Sequence, residues 1–177
     1  MAKKVIGLAV ALVLFVGLPL FIKLYSNNKI SAGYNDGYQP DQPIPYSHEL
    51  HAGKLKIDCK FCHTTTDISR HASVPSLNIC MNCHMSVKLE SPLVQKLQGH
   101  FMDDKPVVWQ KVNLLPDHVK FNHSAHINAG KQCQECHGPV EEMPVVYQWS
   151  DLSMGWCVNC HRKPENNAPI TCGTCHN

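Results

Sequence analysis

The feature that most constrains this 177-residue chain is a short motif, C-x-x-C-H, that occurs five times. All ten cysteines belong to it, and each cysteine pair is followed directly by a histidine. Two cysteines three residues apart lie on one side of a helical turn, so both thiols can reach the same bound group. In chain order we call these motifs 1 to 5; they begin at Cys59, Cys80, Cys133, Cys157 and Cys172.

This spacing is typical of covalent haem c attachment, in which two thiols form thioethers to one porphyrin and the histidine binds its iron. A disulfide framework or repeated zinc knuckles are alternatives, but neither explains a histidine after every pair with no cysteine left over. The motifs predict a pentahaem cytochrome c with five covalently bound haem c groups. The predicted attachment residues are Cys59, Cys62, Cys80, Cys83, Cys133, Cys136, Cys157, Cys160, Cys172 and Cys175, and the predicted proximal ligands are His63, His84, His137, His161 and His176.

Composition supports a fold built around these groups. The chain has only 3 Trp, 5 Tyr and 5 Phe, which is little aromatic side chain for a core, so five porphyrins would supply much of it. We therefore predict a mostly irregular chain with short α-helices at the motifs. The formal net charge of +2 leaves out the haem propionates, and no basic stripe suggests a nucleic acid partner.

The N-terminus predicts a membrane anchor. Lys3 and Lys4 precede an uncharged apolar run from Val5 to Ile22, whose length is near the lower limit for a spanning helix. The leading lysines favour a cytoplasmic N-terminus and an extracytoplasmic remainder. A cleaved signal peptide is the alternative, but Pro19 and bulky residues occupy the end of the run and no A-x-A site follows. We expect an uncleaved anchor over residues 1–25.

The rest of the chain divides into three predicted parts. Residues 26–45 are rich in Asn, Gly and Pro and are predicted to be a linker. Beyond it, an aromatic-x-H-x-x-H segment followed by A-G-K occurs twice, from Tyr46 and from Phe121, each time ahead of a motif. This indicates a duplication, with a two-haem repeat plus connector over 46–120 and a three-haem repeat over 121–177.

The paired histidines of these segments are candidate distal ligands. Two imidazoles on one helical face cannot easily serve a single haem, but they can bridge two, one binding each iron. Surface histidines are the alternative, which the matched recurrence in both repeats disfavours. The candidates are His48, His51, His123 and His126.

Four such histidines leave a fifth iron without a distal ligand. Met154, three residues before motif 4, and His118 are the two candidates, and we expect Met154. A thioether ligand would give that haem the highest reduction potential. The remaining polar and aromatic residues are expected to be solvated or to serve packing; they are His71, His100, Met81, Met85, Trp109, Trp149 and Trp156.

At this point a resemblance to known families is clear. Residues 119–176 are similar to trihaem class III cytochromes c, with three motifs after the H-x-x-H segment. The whole arrangement resembles the pentahaem cytochrome c subunit of alternative complex III, and the strings that carry this resemblance are P-I-P-Y-S-H-E-L-H-A-G, I-C-M-N-C-H, L-P-D-H-V-K-F-N-H-S-A-H-I-N-A-G and L-S-M-G-W-C-V-N-C-H-R. In the trihaem proteins a histidine occupies nearly the position of Met154, one residue away in offset, so that correspondence is inexact.

The resemblance implies a class III-like, duplicated fold and an electron-transfer subunit rather than an enzyme. It implies a membrane complex that oxidises quinol and passes electrons toward a periplasmic cytochrome c or an oxidase. The implied partners are quinol-oxidising membrane subunits, an iron–sulfur subunit and a monohaem cytochrome c. The implied location is the cytoplasmic membrane, with a single span and the haem domain on the periplasmic side.

Two other functions were weighed against this one. Pentahaem nitrite reductases use a lysine in the catalytic motif and are far longer, whereas all five motifs here end in histidine. Self-sufficient, membrane-anchored multihaem quinol dehydrogenases share one N-terminal helix, but their motifs lack the paired H-x-x-H segments. A quinol dehydrogenase of this second kind is the alternative function, and it would pass electrons to a periplasmic reductase.

Overall fold

The computed structural model describes residues 2–27 and 35–177. Its N-terminal part is one apolar helix over Ala2–Ser26, made of α1 (Ala2–Leu12), a π-helical turn (Val13–Gly17) and α2 (Leu18–Ser26). At 1.5 Å per residue its 25 residues extend about 38 Å, enough for a hydrocarbon layer of about 30 Å. A signal sequence near the N-terminus can have the same length and apolar composition.

Short helices separated by irregular segments make up the rest of the described chain. Each motif contributes a helical turn, and the longest helix of this region, α5, lies between motifs 2 and 3. The helices are α3 (Cys59–Cys62), α4 (Leu77–His84), α5 (Pro92–Met102), α6 (His123–Asn128), α7 (Cys133–His137), α8 (Met154–His161) and α9 (Cys172–Cys175). A π-helical turn spans Glu49–Lys54, and 3₁₀ turns span Val140–Glu142 and Pro164–Asn166. Residues 2–27 and 35–177 contain no β-strand, which confirms the mostly irregular fold with short α-helices.

Side-chain caps explain how such short helices begin. The Asp58 carboxylate accepts a hydrogen bond from the backbone of Lys60 at the start of α3, and the Ser153 hydroxyl accepts one from Trp156 in α8. A capping box between Gln132 and Glu135 opens α7. These bonds satisfy backbone N–H groups that have no partner inside the helix, so each motif adopts its turn locally.

The apolar core made by side chains is small. Ile44, Met81, Leu97 and Val107 form a buried cluster, against which Trp109 is packed. Among the described residues, the other buried apolar side chains are Val94 and Met143. Because a region of this length normally buries a larger apolar surface, the side chains alone do not account for its stability.

The predicted linker of residues 26–45 falls partly on residues 28–34, which lie outside the described residues. Its described remainder is irregular, with a turn at residues 36–37, and is hydrogen-bonded to the region that carries the motifs. Gly37 donates to the carbonyl of Gln148 at 2.8 Å, and Gln148 donates back to Tyr38 at 2.9 Å. Further along, Lys96 donates to the carbonyl of Pro43 at 2.7 Å.

The two repeats contact each other in a reciprocal way. Glu49, in the first H-x-x-H segment, donates its backbone N–H to Met143, six residues after the histidine of motif 3. Ser124, its counterpart in the second segment, donates to Ser69, six residues after the histidine of motif 1. Each repeat therefore holds the H-x-x-H segment of the other, as expected for a duplicated unit that has paired with its copy.

Candidate haem-binding sites

The cysteines of each motif lie on a helical turn and are available for covalent attachment. All ten are free thiols that are exposed or partly exposed. Among the described residues, no group of three or more His, Cys, Asp or Glu side chains could hold a bare metal ion. Two free thiols on one helical turn fit the attachment of a porphyrin at each motif.

Neighbouring thiols reveal the order of the motifs in space. Burial is the main cause that raises the pKa of the Cys59 thiol, and the neighbouring thiol of Cys133 is the next. Motif 1, which contains Cys59, therefore lies beside motif 3, which contains Cys133. Burial and then Cys83 raise the pKa of Cys62, which puts motif 2 beside motif 1.

The same reasoning extends the row at its other end. Burial and then Cys160 raise the pKa of Cys136 to about 11, which puts motif 4 beside motif 3. Burial and then Cys175 raise the pKa of Cys157, which puts motif 5 beside motif 4. The five motifs thus form a row in the order 2, 1, 3, 4, 5, with motifs 2 and 5 at its ends.

Four motif histidines face a histidine from elsewhere in the chain. The distances between ring centres are 6.2 Å for His51 and His84, 6.4 Å for His123 and His137, 5.8 Å for His126 and His161, and 5.6 Å for His118 and His176. A metal–imidazole bond is about 2 Å long and the ring centre lies about 1 Å further on, so two imidazoles on opposite sides of one metal ion have centres roughly 6 Å apart. These residues therefore fit a haem iron held between two imidazoles.

Backbone carbonyls orient most of these rings. The Nδ1 atoms of seven of the ten predicted histidine ligands lie within hydrogen-bond distance of a carbonyl oxygen, as in His63 to Ser73 at 2.7 Å and His126 to Asn122 at 2.7 Å. The other five are His51, His84, His123, His161 and His176. A carbonyl can only accept, so Nδ1 carries the proton and the lone pair of Nε2 is free to bind a metal.

His48 stays the predicted distal partner of His63, and electrostatics rather than a described ring contact supports this pair. Burial and then the charge of His63 lower the pKa of His48 to about 4, so the two imidazoles are neighbours. The Nδ1 atom of His48 is buried without a hydrogen-bond partner. Burial and the charge of His123 likewise lower the pKa of His137 to about 4. Both shifts favour the neutral imidazole that binds a metal.

The structure brings His118, rather than Met154, to the fifth motif. The His118 ring faces His176, and the carbonyl of His118 accepts the Nδ1–H of His176 at 3.1 Å. Lys120 donates to the carbonyl of Cys175 at 2.7 Å and fastens the same two segments. The Met154 side chain is the first of α8 and is 72% exposed. The geometry thus favours the alternative candidate, and the assignment of the fifth ligand stays a prediction.

The residues expected to be solvated or to serve packing lie as follows. His71 is exposed, and the Nδ1 of His100 lies 3.3 Å from the carbonyl of Lys105. Met81 is buried in the apolar cluster, whereas Met85 is exposed. Trp149 packs on Gly138, where an added Cβ would overlap its indole ring.

Comparison with known proteins identifies the second repeat. The family described as cytochrome c7 and related cytochrome c matches residues 119–177. These residues contain motifs 3 to 5 and two complete facing histidine pairs, together with His176, whose facing partner His118 lies one residue before the matched range. The chain carries a cytochrome c7-like multihaem domain. The match of this domain supports covalently bound haem c and a role in electron transport.

A relative covers more of the chain than this domain. The multiheme cytochrome c subunit of a menaquinone reductase from Nitratidesulfovibrio vulgaris is 28% identical over 164 residues, which cover 78% of each protein. The chain is thus a multihaem cytochrome c electron-transfer protein related to a subunit of a menaquinone reductase.

Sequence reasoning found the histidines of these sites but not what orients them. The backbone carbonyls that accept from Nδ1 carry no signal of their own in a sequence. The aromatic residue two positions before each H-x-x-H pair did carry one, because it recurs in both repeats, but no role was assigned to it. Buried Gln148, which joins residues 37–38 to Leu114 and Ser150, had no repeat or motif to mark it.

Proposed function

We propose that this chain is the pentahaem electron-transfer subunit of a membrane complex that exchanges electrons with the quinone pool. The observation that carries the proposal is the set of four facing histidine pairs, each of which fits an iron held on both sides. Each haem c, when bound, takes up or releases one electron. The protein holds the groups in a row, orients them and excludes water from between them.

The proposed ligand sets follow one rule in both repeats. The first histidine of each H-x-x-H segment serves the next motif in the chain, and the second serves the motif after it. His48 would pair with His63 and His51 with His84 in the first repeat. His123 would pair with His137 and His126 with His161 in the second. His118 would complete the set with His176.

The five motifs support a count of five haems, since every motif has a histidine partner. We propose that Ala2–Ser26 stays in the cytoplasmic membrane and that the haem region lies on the periplasmic side, where haem c is attached. The proposed partners are quinone-binding membrane subunits and an iron–sulfur subunit of the same complex, with a monohaem cytochrome c or an oxidase beyond it.

The direction of electron flow has two candidates. The resemblance to alternative complex III implies quinol oxidation, with electrons leaving toward a periplasmic acceptor. The similarity to a menaquinone reductase subunit favours the opposite direction, from a periplasmic donor into menaquinone. The native complex in vesicles decides between them, because only the first direction predicts that menaquinol reduces the haems faster than a reduced periplasmic cytochrome does.

The ligand assignment is tested by replacing each proposed distal histidine with alanine in protein made with the haem maturation machinery. Each of the five variants, at His48, His51, His118, His123 and His126, should convert one haem from low spin to high spin and allow it to bind carbon monoxide. His71→Ala is the matched control, because His71 is an exposed histidine with no facing partner among the described ring contacts, and its spectrum should equal that of wild type. Five fully low-spin variants would contradict the assignment.

A further inference from the structure

One aromatic ring in each repeat contacts both histidines of the H-x-x-H segment. The Tyr46 ring meets the edge of His48, with centres 4.8 Å apart and planes at 83°, and stacks on His51 at 4.5 Å and 21°. The Phe121 ring makes the same two contacts, with His123 at 4.8 Å and 90° and with His126 at 4.4 Å and 28°. The duplication has therefore kept a three-ring arrangement nearly unchanged.

This arrangement persists although the backbone beneath it differs. The first segment is a π-helical turn, Glu49–Lys54, whereas the second is the α-helix α6, His123–Asn128. The hydrogen bonds of the first histidines also differ, because His123 reaches the carbonyl of Arg70 while the Nδ1 of His48 is unpaired. The two copies thus share the aromatic contacts despite these differences.

A ring that meets one imidazole edge-on and another face-on restricts the rotation of both. The second histidine has one further restraint, a bond from Nδ1 to the carbonyl four residues earlier, at 2.9 Å for His51 and 2.7 Å for His126. Without the aromatic ring, the His48 imidazole, whose Nδ1 has no hydrogen-bond partner, could turn about its Cβ–Cγ bond, and the other three would be held by one hydrogen bond each. The contact with the aromatic ring restricts this rotation.

We propose that Tyr46 and Phe121 are positioning residues that set the imidazole planes of the distal ligands, Tyr46 for motifs 1 and 2 and Phe121 for motifs 3 and 4. The proposal rests on the proposed function, in which these histidines bind iron. Burial and then the nearby thiols of Cys62 and Cys80 raise the pKa of Tyr46 to about 12, which agrees with a neutral ring between the first two motifs. Because the counterpart is a phenylalanine, the hydroxyl is not part of the role.

The planes matter because the electronic structure of a ferric haem depends on the angle between its two axial imidazoles, and the EPR spectrum reports that angle. The structure gives angles of 65° for His51 and His84 and 2° for His123 and His137. A change in either plane should shift the EPR signal and the reduction potential of that site. A residue that only fills space would change stability and, through solvent access, the reduction potential, but it would leave the EPR signal unaltered.

The test compares Tyr46→Phe, Tyr46→Leu and Phe121→Leu in the full-length holoprotein, with haem content checked by mass. Tyr46→Leu should shift the EPR signals and potentials of two haems, and Phe121→Leu those of two others. Tyr46→Phe should match wild type. The fifth haem should be unchanged in all three, because His118 and His176 contact neither ring. Tyr46→Met, which fills a similar volume without a ring, replaces Tyr46→Leu should the latter attach fewer haems.

Three outcomes would overturn the proposal. The first is that the leucine and methionine variants keep the EPR signals and reduction potentials of wild type. The second is that Tyr46→Phe shifts the EPR signals as much as Tyr46→Leu does. The third is that Tyr46→Leu and Phe121→Leu shift the signals of the same haems. His51→Ala separates this failure from that of the proposed function. If one haem of His51→Ala becomes high spin while Tyr46→Leu keeps the EPR signals of wild type, the ligand assignment stands and the positioning role does not. If His51→Ala stays low spin, the ligand assignment itself fails.

Discussion

At the scale of single residues, the candidate ligands differ from the other histidines in how the ring is held. The His51 ring lies between an aromatic ring, a backbone carbonyl and a facing imidazole. His71 is exposed, with no such contact described. A ligand must present one nitrogen in a fixed direction, so the restraint on the ring, more than the presence of a histidine, marks a ligand.

The fifth ligand gives a prediction at this scale. His118→Ala should make one haem high spin, whereas Met154→Leu should leave all five low spin, because Met154 is 72% exposed and His118 faces His176. His118→Met should raise the potential of one haem alone, since a thioether ligand raises it relative to imidazole. Near-infrared magnetic circular dichroism of wild type should then show only bis-histidine haems. A His–Met signal in wild type that Met154→Leu abolishes would restore Met154 as the ligand.

At the scale of elements, the helices of the motif region are too short to be stable alone, and contacts between repeats hold them. Gly53 in the π-helical turn lies directly against the 3₁₀ turn Val140–Glu142 of the other repeat, where an added Cβ would overlap the carbonyl oxygen of Glu141. Its sequence counterpart, Gly130, has nothing within 4 Å and instead adopts a positive φ of 84°. The glycine of the A-G-K signature thus allows close contact with the backbone of Glu141 in the first repeat and a left-handed backbone conformation in the second.

Gly53→Ala should therefore destabilise the contact between the repeats. The added methyl group must displace backbone, and overpacking of this kind costs about 1–3 kcal/mol in the free energy of unfolding. Gly99→Ala in α5 is the matched control, because nothing lies within 4 Å of its Cβ position and alanine in a helix gains about 0.5–1 kcal/mol. Denaturant unfolding followed by circular dichroism measures both. Equal stability of the two variants would contradict the close contact.

At the scale of the whole molecule, the protein is a row of attachment sites with little apolar core of its own. The described motif region buries few apolar side chains, while its motif thiols lie beside one another from motif 2 to motif 5. Bound porphyrins would supply the missing apolar surface, so attachment and folding should be coupled.

The count of haems tests this view of the molecule. Denaturing mass spectrometry of the mature protein should find five covalently attached haems, and Cys172→Ser with Cys175→Ser should reduce the number to four. Because motif 5 is at one end of the row, that variant should keep the remaining haems. The same double change at motif 1, which lies between motifs 2 and 3 in the row, should impair the whole region. Four or fewer haems at full occupancy of the wild-type protein would contradict the prediction.

The anchor gives the last prediction. Wild-type protein should stay with membranes after a carbonate wash, whereas a chain without residues 1–25, exported by a cleavable signal, should be soluble and red. The described part of the predicted linker supports this design. Residues 37–43 form hydrogen bonds with the motif region and remain in the truncated chain. A mature native N-terminus near residue 26 would show instead that the apolar helix is a signal peptide.

The sequence by itself determined the attachment chemistry, because C-x-x-C-H is a local pattern whose helical turn brings both thiols and the imidazole together. It also determined the apolar N-terminal helix and the mostly irregular fold, which follow from composition and from motif spacing. The duplicated H-x-x-H segments pointed to candidate distal ligands, since their recurrence at matched distances needs no tertiary information.

Only the tertiary structure decided which histidine faces which motif, because those pairs join residues as far apart as His118 and His176. The preference for Met154 rested on its closeness to motif 4 in the chain, and distance along the chain does not report distance in space. The order of the motifs is likewise not their order in sequence, since the two repeats dock through Glu49 and Ser124 and bring motif 1 beside motif 3. The physical reason is that a fold held by reciprocal contacts between repeats places its sites by packing, which no local pattern encodes.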